Sequence, residues 1–182
     1  ILPVIHDEAD RERVLSYAAS LADALRAQTY HGAPVTVELD DRPVRGGEKT
    51  WSWIKRGVPV RIEIGPRELD EEGVFVGRRD RGSRERYNQP RAEFVDGFTG
   101  LLDDIQASLY ERARNLRETH TRRIDSRDDF YAFFSSDDPE AGGFALAHWA
   151  HDPEAEAQLK EDLGVTVRCI PLEDGEEEGA CF

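Results

Sequence analysis

The sequence predicts an α/β chain, with a sheet flanked by helices followed by a second, smaller α/β unit. Three observations predict it. Short runs of alternating apolar residues are separated by segments with helical spacing. Up to Ile64 the runs follow the order strand, helix, strand, helix, strand. After "RETHTRRIDS" the composition changes and a new set of elements begins.

Leu2, Val4 and Ile5, ahead of a charged break, read as the first strand. Asp7 caps a segment in which Val14, Leu15, Ala18, Leu21, Ala22 and Leu25 recur at helical spacing, so a helix is expected as far as Gln28. Val35, Val37 and Leu39 alternate with Thr36, Glu38 and Asp40, a second strand that runs into the turn "DDRPVRGG". A short helix from Glu48 to Arg56 stops at Gly57. The third strand is the clearest, with Val58, Val60, Ile62 and Ile64 on one face and Arg61 and Glu63 on the other. This order favours a parallel sheet with right-handed crossovers. "GVFVGRRD" is a fourth strand, and "RGSRERYNQPR" supplies a turn and a candidate fifth. Phe94, Phe98, Leu101, Leu102, Ile105, Leu109, Ala113 and Leu116 then keep helical phase, the pattern of a core-facing stripe.

The division between units is placed at 118/119. In the second unit Phe130, Phe133 and Phe134 lie on a short helix, and "GGFALAHWA" reads as a strand. "DPEAEAQLKEDLG" is a helix capped by Asp152, with Pro153 in its first turn and Gly164 as its stop. "VTVRCIP" is a last strand with Val165, Val167 and Cys169 on one face, ahead of an acidic tail.

The net charge is −14, which argues against general affinity for nucleic acid. The average conceals an asymmetry: residues 42–91 hold 13 Lys and Arg against 8 Asp and Glu, so the rest of the chain carries −19. No run approaches the ~18 apolar residues that span a bilayer, and "ILPVIHDEAD" has neither a basic flank nor a small-residue cleavage site. A cytoplasmic protein is expected. The chain has no methionine, as expected of a piece cut from a longer protein. Cys169 and Cys181 are expected to be reduced.

Catalytic signatures are absent: there is no Gly-rich phosphate loop followed by Lys and Ser or Thr, no G-x-S-x-G and no H-E-x-x-H. His148 and His151 form H-x-x-H, but on a strand end the two fall on different faces, and zinc needs convergent ligands. His6, His31 and His120 stand alone in the sequence.

"KTWSWIKRGVPVRIEIGPRE" carries more information. An arginine beside a carboxylate on a strand suits guanine, since the guanidinium pairs with O6 and N7 while the carboxylate accepts from N1 and N2. The same two residues also make an ordinary surface ion pair, worth ~0–1 kcal/mol. Trp51 and Trp53 can stack on unpaired bases or bury against the sheet. Arg78, Arg79, Arg81, Arg84, Arg86 and Arg91 can follow a phosphate backbone, or form a solvated loop.

Taken together, "WIKRGVPVRIEIGPRE", "VFVGRRD" and "THTRRID…FALAHW…VRCIP" resemble the carboxy-terminal half of prolyl-tRNA synthetase of the archaeal and eukaryotic type, found also in some bacteria. The resemblance covers the chain nearly end to end. It implies an anticodon-binding domain with a mixed five-stranded sheet, then a small α/β domain that in many members holds structural zinc on four cysteines. It implies tRNA with a proline anticodon as partner, read at Arg61, Arg67 and Glu68, with Arg84 a further match; Arg78 and Arg79 of the arginine run are expected on the backbone by charge alone. No catalytic residue is implied here, and no cofactor: ATP and Mg belong to the catalytic domain, as does most of the homodimer contact. The first cysteine pair is replaced by "WAHDPEAEAQ", only Cys181 matches a ligand position, and Cys169 belongs to "RCIP", so zinc is not expected. The rival reading is a protein-interaction module that uses this fold without reading RNA.

Overall fold

The computed structural model describes residues 1–135, 142–172 and 179. The chain forms two compact units, Ile1–Glu111 and Arg112–Phe182.

The first unit opens with β1 (Leu2–Pro3) and a single 3-10 turn, where the Asp7 carboxylate accepts the Ala9 N–H at 3.0 Å. Helix α1 (Arg11–Arg26) follows, burying Val14, Ala18, Leu21, Ala22 and Leu25 on one side, as the spacing predicts. It leads into a hairpin that the sequence reading lacks, β2 (Thr29–Tyr30) and β3 (Ala33–Pro34). The turn uses His31 and Gly32, both at positive φ, the backbone of a two-residue primed turn. After α2 (Gly46–Lys55) come β4 (Val60–Ile64), α3 (Pro66–Asp70), β5 (Gly73–Arg78), β6 (Arg86–Pro90), α4 (Arg91–Asp96) and α5 (Phe98–Thr119).

The sheet order is β1-β4-β5-β6. β1 pairs parallel with β4, but β4 with β5 and β5 with β6 are antiparallel. The parallel expectation, which covers the strands up to Ile64, holds for β1 and β4, and the strands that follow β4 turn antiparallel. A parallel return needs a crossover of a dozen or more residues, and α3 with its turns is too short to make one. The predicted second strand, Val35–Asp40, is not a regular strand. It still runs along β1: Ile1 N donates to Glu38 O at 2.6 Å, and Asp40 N–H donates to Ile1 O at 2.9 Å, the bond pattern of a parallel neighbour. Counted with it, the mixed sheet has five members.

One face of this sheet is the core. Ile62, Ile64, Val74 and Val76 pack against Val14, Leu21 and Leu25, joined by Phe94 and Phe98, whose rings meet edge to face at 5.5 Å. By strand alternation Arg61, Glu63, Phe75, Gly77, Arg86 and Asn88 occupy the opposite face. On α5, Phe98 and Ile105 are buried, while Leu116 is exposed. Helical phase shows which side residues share, not whether anything covers it.

In the second unit β7 (Thr121–Arg123) pairs parallel with β8 (Phe144–Leu146). Ser126 caps α6 (Arg127–Phe134) by accepting the Asp129 N–H at 3.2 Å, and Asp152 caps α7 (Pro153–Leu163) by accepting that of Glu154 at 2.9 Å. Gly164 ends α7 at φ +69°, the left-handed geometry that favours glycine. Ile124, Phe130 and Leu159 form this unit's core. The predicted strand over Val165–Ile170 is not formed, and Val167 and Ile170 are exposed. Among the described residues no strand pairs with this segment, so it has no ladder to join. Cys169 is a free, exposed thiol, and Cys181 and most of the acidic tail lie outside the described residues.

Candidate nucleic-acid interface

The non-core face of β4, β5 and β6 is built in rows. Arg61, Gly77 and Arg86 are directly opposed across three strands, and Glu63, Phe75 and Asn88 make the next row. The local sequence dictates the layout: in "GVFVGR" Val74 and Val76 enter the core, which turns Gly73, Phe75 and Gly77 outward. Arg86 Nη1 donates to Glu63 Oε1 at 2.5 Å, and its guanidinium lies 5.7 Å from the centre of the Phe75 ring. Thr50 Oγ1 on α2 donates to the same Glu63 oxygen at 3.3 Å.

Arg61 is unusual. It is 6% exposed, yet among the described residues it has no carboxylate partner. Its guanidinium lies across Gly77, with Nη2, Cζ and Nε at 3.1, 3.7 and 3.7 Å from where a Cβ would stand. Burial pulls its pKa below the usual guanidinium value, nearby Arg86 adds to this, and Glu63 opposes it. This is a cation under-neutralised by its surroundings. Gly77 lies directly across from it on β5, and Glu63 stands two residues along its own strand.

Helix α2, which borders this face, is fixed from below. Asp40 accepts from Arg42 Nε at 2.8 Å and Nη2 at 2.6 Å, and from Trp53 Nε1 at 2.8 Å, while buried Lys49 donates to the Asp40 carbonyl at 3.0 Å. Trp53 is thereby a structural side chain. Trp51 is 55% exposed, with Lys55 Nζ 5.9 Å from its ring centre.

The other expected site residues separate into groups. Arg67 is exposed on α3 and pairs with Glu71 at 3.0 Å. The Glu68 carboxylate turns back to accept the Gly65 N–H at 2.9 Å, so one of its oxygens caps α3. Arg78 is held between Asp80 and Asp104, both at 2.7 Å, with its side chain 11% exposed. Two carboxylates neutralise it, so an expected phosphate contact would compete with both. Arg79 and Arg84 are exposed and carry no ion pair among the described residues. Gly77, Phe75 and the Arg86–Glu63 pairing were missed in the sequence. The signal was there, since Gly-x-Phe-x-Gly alternates with two valines in "GVFVG". His148 Nδ1 lies 3.6 Å from Asp125, and among the described residues no group of three or more His, Cys, Asp or Glu converges as a metal site.

The domain is thus a mixed α/β sheet with one core face and one face that carries Arg61 and Arg86. Residues 1–101 match the family model described as anticodon binding domain, and the chain belongs to that family. Residues 138–182 match the model described as prolyl-tRNA synthetase, C-terminal. Among curated relatives, the chain is 54% identical to proline–tRNA ligase 2 of Anaeromyxobacter dehalogenans and 41% identical to proline–tRNA ligase of Protochlamydia amoebophila. Each alignment covers 100% of this chain and 37% of the relative. The fold matches the crystal structure of prolyl-tRNA synthetase from Cryptosporidium parvum with a TM-score of 0.69, at 22% identity, over 94% of this chain and 35% of that one. The chain thus carries an anticodon-binding domain followed by a segment similar to the carboxy-terminal part of prolyl-tRNA synthetase, and it spans little more than a third of the proline–tRNA ligases it matches.

Proposed function

We propose that this chain selects proline tRNA for a proline–tRNA ligase by reading the two anticodon guanines on the face formed by β4, β5 and β6. The observation that carries the reading is Arg61, a buried guanidinium with no carboxylate partner among the described residues, on a face that also carries Glu63, Phe75 and Arg86. Arg61 donates to the O6 and N7 edge of a guanine, and Glu63, held in place by Arg86 and Thr50, accepts from its N1 and N2 donors. Arg67 flanks this pair and Glu68 shapes the turn beside it. Arg79 and Arg84 contact phosphates and supply affinity without sequence choice.

In the full-length ligase the energy of these contacts is spent on choosing the tRNA. Adenylate formation with ATP and Mg, and the homodimer contact, are assigned to the part of the protein that this chain does not span. Within that assignment the cytoplasm, where tRNA is charged, is the proposed location, and no helix among the described residues is long and apolar enough to cross a membrane.

Aminoacylation kinetics test the reading. Arg61→Ala in the full-length enzyme is expected to lower kcat/KM for the proline tRNA transcript by an amount equivalent to ~1–3 kcal/mol. Proline-dependent ATP–pyrophosphate exchange, which uses no tRNA, stays at the wild-type rate. Unchanged kcat/KM in Arg61→Ala refutes the assignment.

A further inference from the structure

We infer that Gly77 is a specificity-determining residue of this face: it is the flat seat on which the Arg61 guanidinium lies, and a branched side chain there unseats the guanine-reading group. The inference rests on the RNA-reading proposal above and goes beyond it, because Gly77 touches no base. It acts through Arg61.

Glycine weakens a strand interior, since it loses more backbone freedom on folding and contributes no packing. In a central strand it commonly marks close approach by another group. Here that group is Arg61. Gly77 lies in β5, paired with Arg61 of β4 on one side and Arg86 of β6 on the other. Its backbone does not require glycine, because it is not among the glycines at positive φ, Gly32, Gly57 and Gly164. What requires glycine is the space above it. A Cβ would stand 3.1 Å from Arg61 Nη2 and 3.7 Å from Cζ and Nε, so alanine forces a shift of a few tenths of an ångström. A branched side chain displaces the whole guanidinium plane.

Displacement is costly for function rather than for folding. Arg61 is held by no carboxylate among the described residues, so its position is set by shape. Once lifted from Gly77, it moves relative to Glu63, and the two halves of the guanine contact no longer meet one base. Valine, in contrast, is a strand-favouring residue. A purely structural role for Gly77 therefore predicts that Gly77→Val leaves tRNA discrimination untouched.

The test uses the full-length ligase and two transcripts, the proline tRNA and one with its anticodon guanines replaced. Affinities are measured by filter binding at fixed salt for wild type, Gly77→Val, Arg61→Ala and the double variant. Arg61→Ala is expected to lose about tenfold in the ratio of the two dissociation constants. Gly77→Val is expected to lose as much, and the double variant no more than either single one, since both act on one group. Discrimination kept by Gly77→Val but lost by Arg61→Ala overturns the role of Gly77 and leaves the RNA reading standing. Discrimination kept by both variants overturns both. Thermal melts and ATP–pyrophosphate exchange establish that each variant is folded; should Gly77→Val fail to melt cooperatively, Gly77→Ala decides by the same ratio, with a smaller loss.

Discussion

Asp40 is a buried carboxylate that organises three neighbours: Arg42 and Trp53 donate to its side chain and Lys49 to its carbonyl. Its pKa is held well below the usual carboxylate range, chiefly by the Arg42 hydrogen bonds and against the cost of burial, with Trp53 adding to the effect. The unfolded chain therefore binds the proton more tightly than the folded one. The stability this contributes is complete above the unfolded carboxylate value of ~4 and drains away as pH falls from there towards the folded value. Asp40→Ala is expected to cost roughly 1.5–3 kcal/mol at neutral pH in a urea melt. Asp40→Asn should also flatten the loss of melting temperature between neutral and acid pH. A slope identical to wild type would contradict this account of the carboxylate. At this scale the sequence made Arg61 and Glu63 visible by alternation alone. It did not reveal that Arg86 would reach Glu63, since residues twenty-three apart meet only through the register of three strands. Trp53 was ambiguous for the same reason: its partner is settled by tertiary structure.

Among the elements, the junction of β5 and α5 depends on one ion triad. Asp80 has a fully buried side chain against Arg78, while Asp104 on α5 is 63% exposed. Removing Asp80 leaves Arg78, whose side chain is largely out of water, with the exposed Asp104 as its carboxylate partner, so Asp80→Ala is expected to cost ~1–3 kcal/mol. Asp104→Ala loses only an exposed partner and should cost less than ~1 kcal/mol. Denaturant midpoints of the two variants separate the cases, and equal losses would show that burial does not decide them. The helices were legible because caps and stops are local: Asp152, Pro153 and Gly164 act where the sequence places them, while Asp7 caps the 3-10 turn that leads into α1. Sheet direction was legible only as far as β4: β-α-β-α-β pointed to parallel strands there, but the brevity of α3 reverses the chain afterwards, and crossover length decides the direction of β5. The hairpin at His31 and Gly32 escaped because its strands are two residues each, too short for a period to register.

For the whole molecule, net charge and function point in opposite directions, and the distribution resolves them. An RNA face within a chain of −14 works by local cation density over residues 42–91. Binding of tRNA by the full-length ligase is therefore expected to weaken steeply with salt, and Arg84→Ala should weaken all tRNAs alike and reduce the logarithmic salt slope by about one. A shallow slope would favour the protein-interaction reading, whose apolar contacts respond little to salt.

Protection of the anticodon from a guanine-specific ribonuclease tests the central claim most directly. The full-length wild-type protein should shield the anticodon guanines of proline tRNA, and Arg61→Ala should leave them open while other contacts persist. Guanines cut at the rate of free tRNA in the wild-type complex, or shielded equally in Arg61→Ala, would contradict the account.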